Sequence, residues 1–271
     1  MNKICLNLLV VLVMAAGPLS GFAADKKTGT PSDIDKLIKR MEQSGALDAA
    51  IDRGIQRQME RQAEAQRKQE EEQQRLQAEA AKNARAVDVN RDRVLGNMQA
   101  DVSVIVYSDL ECPYCKHFAQ TPEQAVAGFD GKANVVFRHY PLPFHGEIAK
   151  RAAYYAECVG RQAGSKAFFA FVGDWFKLTK TNGQGLEGGD AQIREVAQAA
   201  GVKDVASLDA CARDAAIAQL VEDDLADGTR SGVNGTPGTI IRNNKTGVSL
   251  AISGAVPAEV LEQGIRKVLA N

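Results

Sequence analysis

The sequence predicts an α/β chain, a sheet carrying a large helical insertion, with a long helical arm in front of it. Three observations predict this. Two β-rich runs, 101–107 and 134–140, flank a helical stretch at 112–129. Residues 147–227 then keep helical spacing with no strand pattern, broken near Gly164 and at 181–189. Two further strands, 239–242 and 249–253, precede a last helix at 257–269. Strand, helix, strand, helical block, two strands, helix is the order of a sheet that carries its helices as layers and as an insertion.

Composition narrows the function. The chain has 271 residues, 45% hydrophobic and 25% charged, with Lys+Arg 33 against Asp+Glu 34 and a net charge of -1. A nucleic-acid partner is not expected without a basic excess. Met1-Asn2-Lys3, the apolar run 4–16 and Gly21-Phe22-Ala23 have the layout of a cleaved secretory signal peptide over 1–23, so the periplasm is the expected address. The run falls short of the roughly 20 residues a spanning helix needs. Removing the leader removes Cys5 and leaves Cys112, Cys115, Cys158 and Cys211, an even set suited to an oxidising compartment.

From Ser32 to Arg85 there is no proline and heavy use of Gln, Glu, Arg and Ala. Ser32 with Asp35 reads as a capping pair at a helix start, and Ser44-Gly45 as an interruption. Ile34, Leu37, Ile38 and Met41, then Leu47, Ile51, Ile55 and Met59, form an apolar stripe. Such a face must be buried, and self-association through residues 32–59 as a helical bundle or coiled coil is the simplest solution. Packing back on the same chain is the alternative. Residues 24–59 are therefore read as an oligomerisation segment and 60–86 as a polar helical spacer. Leu76 is the only large apolar side chain in that spacer, and Glu64–Lys68 and Glu71–Arg75 have helical i,i+4 order. A helix of about 30 residues would extend roughly 45 Å. The globular domain is read as 87–271, with its insertion at about 146–228.

Within that domain, Val102 to Tyr107 is apolar enough for a central strand, and Pro122 kinks or restarts the helix after it. Pro141 and Pro143 end the second strand. The chemistry-bearing motif is Cys112-Pro113-Tyr114-Cys115, between a strand and a helix start. Backbone N–H groups at a helix start favour a thiolate, and a two-residue gap lets the second sulfur attack a mixed disulfide on the first. Pro113 suits a first helical turn, where its missing N–H is not needed. Zinc sites also use this spacing, but no second such pair or His pair accompanies it, and neither metal nor cofactor is expected. Lys116 and His117 could support a thiolate and Asp109 and Glu111 oppose it, although each reads more simply as a solvated surface charge. His139 and His145 read as structural. Cys158 and Cys211 could close a loop of about 54 residues with a disulfide, or stand as two buried thiols.

Cys112-Pro113-Tyr114-Cys115 on a strand-to-helix turn, a helical insertion, and Thr236-Pro237 before the next strand resemble the thioredoxin-fold thiol-disulfide oxidoreductases of the DsbA-like group. Val94-Leu95-Gly96-Asn97 and Tyr107-Ser108-Asp109-Leu110-Glu111 resemble its Com1-like and suppressor-of-copper-sensitivity protein C (ScsC) members. The resemblance covers about 87–270. It implies a nucleophilic Cys112 at an exposed helix start, a resolving Cys115, a cis Pro237, and a substrate-binding set of Thr236, Pro237, Pro113 and Tyr114. Gly238 is smaller than the residue expected after that proline.

The expected function is a periplasmic, oligomeric protein disulfide isomerase. Its partners would be exported proteins with disulfides or free cysteines and a membrane redox protein, either reductase or oxidase. The alternatives are a DsbA-like dithiol oxidase and a Cu(I)-handling protein, the latter sparse in sulfur ligands.

Overall fold

α1 (Pro31–Gln43) opens the computed structural model, which describes residues 31–271. The signal-peptide reading of 1–23, Cys5 included, lies outside the described residues. Ser32 falls inside the first turn of α1 and does not cap it. Gly45, at φ +68°, ends that helix through Ser44, whose hydroxyl donates to the Met41 carbonyl at 3.1 Å. α2 (Ala46–Ala81) then runs for 36 residues, through Gly54 without a break. The chain divides into two compact units at Ala65 and Gln66.

In the first unit no residue of α1 is buried. Ile34, Leu37, Ile38, Met41, Ile51, Ile55 and Met59 are all exposed. In the second unit Arg75 pairs with Glu72, one residue closer than the i,i+4 partner Glu71. Ala81 and Ala84 are buried with Val94, Ile105, Tyr107 and Val136. Packing thus begins several residues before Val87, at alanines that composition could not tell from the rest of an Ala-rich helix.

The sheet has the order β1-β3-β2-β4-β5, built from β1 (Arg93–Leu95), β2 (Val102–Ser108), β3 (Ala133–His139), β4 (Gly238–Asn243) and β5 (Ser249–Ser253). Only β2 and β3 are parallel. β2 is central and buried along its whole length. Its alternate residues serve two layers, as strand pleating requires. Val102, Val104 and Val106 pack with Phe118, Leu261 and Ile265, and Ile105 and Tyr107 pack on the opposite face.

The predicted helix over 112–129 is two short helices, α3 (Pro113–Phe118) and α4 (Thr121–Val126), with a tight turn to Phe129. α5 (Gly146–Leu178) kinks at Gly164, whose φ of 85° breaks the helical path. α6 (Gly189–Ala199), α7 (Leu208–Ala212) and α8 (Ala215–Arg230) complete the insertion, and α9 (Ala258–Leu269) closes the chain on the sheet. Phe168, Phe171, Trp175 and Leu208 are essentially inaccessible in the insertion core, and a disulfide joins Cys158 of α5 to Cys211 of α7. No helix of the described residues is long and apolar enough to cross a membrane.

A charged cluster lies under the α8 side of the sheet. Arg138, wholly buried, donates to Asp92 at 3.1 Å and to Asp227 at 2.7 Å. Tyr107 donates to the same Asp227 carboxylate. A buried guanidinium is tolerated because its donors are matched by acidic oxygens.

Candidate active site

β2 ends at Ser108, and the chain turns through Asp109 into the dithiol. Asp109 builds that turn. Its carbonyl accepts from the Cys112 amide at 3.1 Å, and one carboxylate oxygen accepts from the Glu111 amide at 2.7 Å. The other oxygen accepts from the Leu142 amide at 2.7 Å and lies 2.7 Å from Nδ1 of His145. Asp109 is therefore fully committed to holding three segments together. The solvated-charge reading of Asp109 and Glu111 is corrected, since both are buried. A carboxylate can be withdrawn from water where several donors replace the water.

Cys112 caps α3, with Pro113 in the first turn as expected, and the Lys116 amide donates to its carbonyl at 3.0 Å. Cys112 is 3% exposed and Cys115 1%, so the helix start is less open than the sequence suggested. The Cys112 thiol faces the Thr236 carbonyl at 3.4 Å, and the Thr236–Pro237 bond is cis. Pro113 is partly covered, whereas Tyr114 stands 66% exposed beside the dithiol.

The two sulfurs are held in opposite states. The Cys112 thiol is lowered to about 6, chiefly because the Cys115 thiol donates to its sulfur. Thr236 and the backbone amides of Cys115 and Tyr114 add to this, against the opposing effect of burial. Cys115 is pushed well above the ordinary thiol range, by burial first and then by its bond to Cys112 and the charge there. Its side chain fronts a cavity of about 650 Å³ lined also by Ser108, Val106, Phe118 and Phe176.

Lys116 and His117 do not perform the role considered for them. Lys116 Nζ donates to the Thr179 carbonyl at 2.9 Å, closing the end of α5, and His117 is exposed. His139 and His145 are structural, buried against Glu157 and Asp109. Gly238 is explained by space. A Cβ there would lie 2.7 Å from Val233 Cγ1 and 3.2 Å from the Gly235 carbonyl. Sequence reading missed Trp175, Thr179 and Gly185, which contact Glu111 from 64 to 74 residues away. No local signal marks contacts at that separation.

Residues 88–255 match the family model described as thioredoxin. The chain superposes on DsbA2 of Pseudomonas aeruginosa with a TM-score of 0.57 and 31% identity, over 65% of this chain and 93% of that one. It also superposes on a linker-deletion mutant of ScsC from Proteus mirabilis, with a TM-score of 0.57 and 21% identity, over 92% of this chain and 99% of that one. A stretch of 164 residues is 30% identical to the Na(+)/H(+) antiporter NhaA 1 of Mycolicibacterium gilvum, 60% of this chain and 25% of that one. The chain thus spans about a quarter of the length of that curated relative. With a strand-to-helix dithiol facing a Thr-Pro turn, a mixed sheet and a helical insertion, the chain belongs to the thioredoxin family, and it shares the fold of the DsbA-type and ScsC-type structures.

Proposed function

We propose that this chain is a periplasmic protein disulfide isomerase that works as a homo-oligomer through residues 32–59. The observation that carries the chemistry is the split between the two sulfurs, Cys112 lowered to about 6 and Cys115 held as a buried thiol. At neutral pH Cys112 is the thiolate and so the nucleophile. It attacks one sulfur of a substrate disulfide. A bond forms between Cys112 and that sulfur, and the other substrate sulfur leaves as a thiolate.

Two exits follow. A substrate thiolate can attack the mixed disulfide, forming a new substrate disulfide and returning Cys112 as thiolate, with no net oxidation. Alternatively Cys115 loses its proton and attacks Cys112. The Cys112–Cys115 disulfide then forms, the substrate leaves reduced, and a membrane reductant must reset the enzyme. The buried, proton-holding Cys115 slows the second exit and leaves time for the first. Thr236 and Pro237, with Pro113 and Tyr114, would line the extended substrate segment, as the family resemblance implies.

The exposed stripe on α1 and the first half of α2 supports oligomerisation, because apposed dithiols can grip one misfolded chain. The test is reactivation of a scrambled disulfide protein by the full chain and by an Ile51→Glu/Ile55→Glu variant. A truncation at residue 86 is unsuitable, since Ala81, Ala84 and Arg85 belong to the packed unit. Reactivation by the first protein alone supports the proposal. If neither reactivates while both oxidise a reduced substrate, the isomerase reading fails.

The low Cys112 value also favours a second reading, a dithiol oxidase, because a stabilised thiolate makes the disulfide form a stronger oxidant. The resting state separates the two: an oxidase is kept oxidised, an isomerase reduced.

A further inference from the structure

We propose that Glu111 is a positioning residue for the dithiol: its side chain ties the end of α5 and the 179–185 loop to the residue preceding Cys112, and so sets the turn that holds the Cys112 thiolate. The inference rests on Cys112 being the reactive thiol.

Glu111 is wholly buried, one residue before the nucleophile. One carboxylate oxygen accepts from the Trp175 indole at 3.0 Å and the Thr179 hydroxyl at 2.8 Å. The second accepts from the Gly185 amide at 2.9 Å, and the Glu111 carbonyl accepts from the Asn182 amide at 2.7 Å. All these donors are uncharged, so the carboxylate is held by hydrogen bonds alone. Bonds to a charged acceptor are roughly twice as strong as neutral ones, which suits a tether more than a surface contact.

The loop it holds is under backbone strain. Thr181 and Asn182 are both left-handed, at φ 63° and 53°, and Gly183 follows at φ 75°. A Cβ on Gly183 would lie 2.6 Å from the His145 carbonyl, so the loop is pressed against the turn that Asp109 organises. Consecutive non-glycine residues in this region persist only where the surroundings over-determine them. Glu111 supplies that determination from the catalytic side. The Cys112 thiolate depends on the backbone amides of Tyr114 and Cys115 and on the Cys115 thiol, all of which follow from how this turn is set.

Charge and position predict opposite results here. Removing a negative charge beside a thiolate favours the thiolate, so Glu111→Gln acting through charge alone would raise Cys112 reactivity at low pH. Acting through position, Glu111→Gln presents an NH2 group to a donor, frees the loop and loosens the turn.

The test measures iodoacetamide modification of Cys112 against pH in the full chain, in Glu111→Gln, in Thr179→Val and in the double variant, with the modified residue identified by mass. Trp175, the single tryptophan of the chain, donates its indole N–H to Glu111 and is expected to report dithiol reduction by a change in fluorescence. Glu111→Gln is expected to lower the modification rate at about pH 6 by about tenfold and to abolish the redox-linked fluorescence change. Thr179→Val should do the same to a smaller extent, and the double variant should match Glu111→Gln alone. Thr179→Val keeps the side-chain volume and carries the test if Glu111→Gln does not fold. An unchanged or increased rate in the folded variants, with Cys112 still the modified residue, overturns the positioning role. Modification of Cys115 in place of Cys112 in the unsubstituted protein overturns both the thiol assignment and the proposal.

Discussion

The arm and the insertion are built from the same material, amphipathic helices rich in alanine and charge, and they end in opposite conditions. On α1 and the first half of α2 most large apolar residues of the stripe stand exposed, Leu37 at 58% and Met59 at 63%. In the insertion Phe168 and Phe171 are at 0% and Trp175 at 1%, with a disulfide between two of the helices. An amphipathic pattern states that a face requires burial, without stating whether the partner lies in the same chain. The insertion finds its partners in its own helices. The arm leaves its face for a second copy under the proposed function, so one region should govern chemistry and stability and the other assembly.

Four variants and one titration test that division. The largest effect is expected from Cys112→Ser, which should lower thiol-exchange turnover about a thousandfold or more while sedimentation still reports the unsubstituted oligomer; a lost oligomer would mean that the two regions are not separate. Next, Ile51→Glu/Ile55→Glu should leave Cys112 modification unchanged, convert the oligomer to monomer, and lower scrambled-protein reactivation about tenfold or more. Third, Cys158→Ser/Cys211→Ser should cost roughly 4 kcal/mol in denaturant unfolding of the catalytic unit, from the lost constraint on the unfolded chain, and leave assembly intact. Smaller still, Gly238→Ala should cost about 1–3 kcal/mol, because its methyl meets Val233, and should shift no oligomer equilibrium.

The titration concerns the thiol alone. Cys112 modification should have its midpoint at about pH 6, falling off below it. The sign follows from the lowered value. The reduced fold gains stability over Cys112→Ser above the ordinary thiol range, and loses that gain as pH falls towards about 6. Unfolding of both reduced proteins at about pH 5 and about pH 9 measures it, and an equal difference at the two pH values would show that the thiolate is not preferentially held by the fold.

Much of this was legible in the amino-acid order. Val102–Tyr107 reads as a central strand because β-branched residues run almost without a break, and Gly164 reads as a helix interruption because it lacks a Cβ. β1 was not legible, being three residues at a sheet edge, too short for any period to show. Arg138 reads as an ordinary alternating strand residue, and its complete burial depends on Asp92 and Asp227, 46 and 89 positions away. Asp109 and Glu111 read as surface charges for the same reason, since their donors come from residues 142–145 and 175–185.

Element order, the dithiol at a helix start, and the contrast between a polar arm and an apolar domain follow from the amino-acid order alone, because local spacing and residue chemistry carry each of these. Which charges are buried and why residue 238 has no side chain were settled by tertiary packing. Those outcomes depend on groups that distant parts of the chain bring into contact, where burial and hydrogen bonding are fixed.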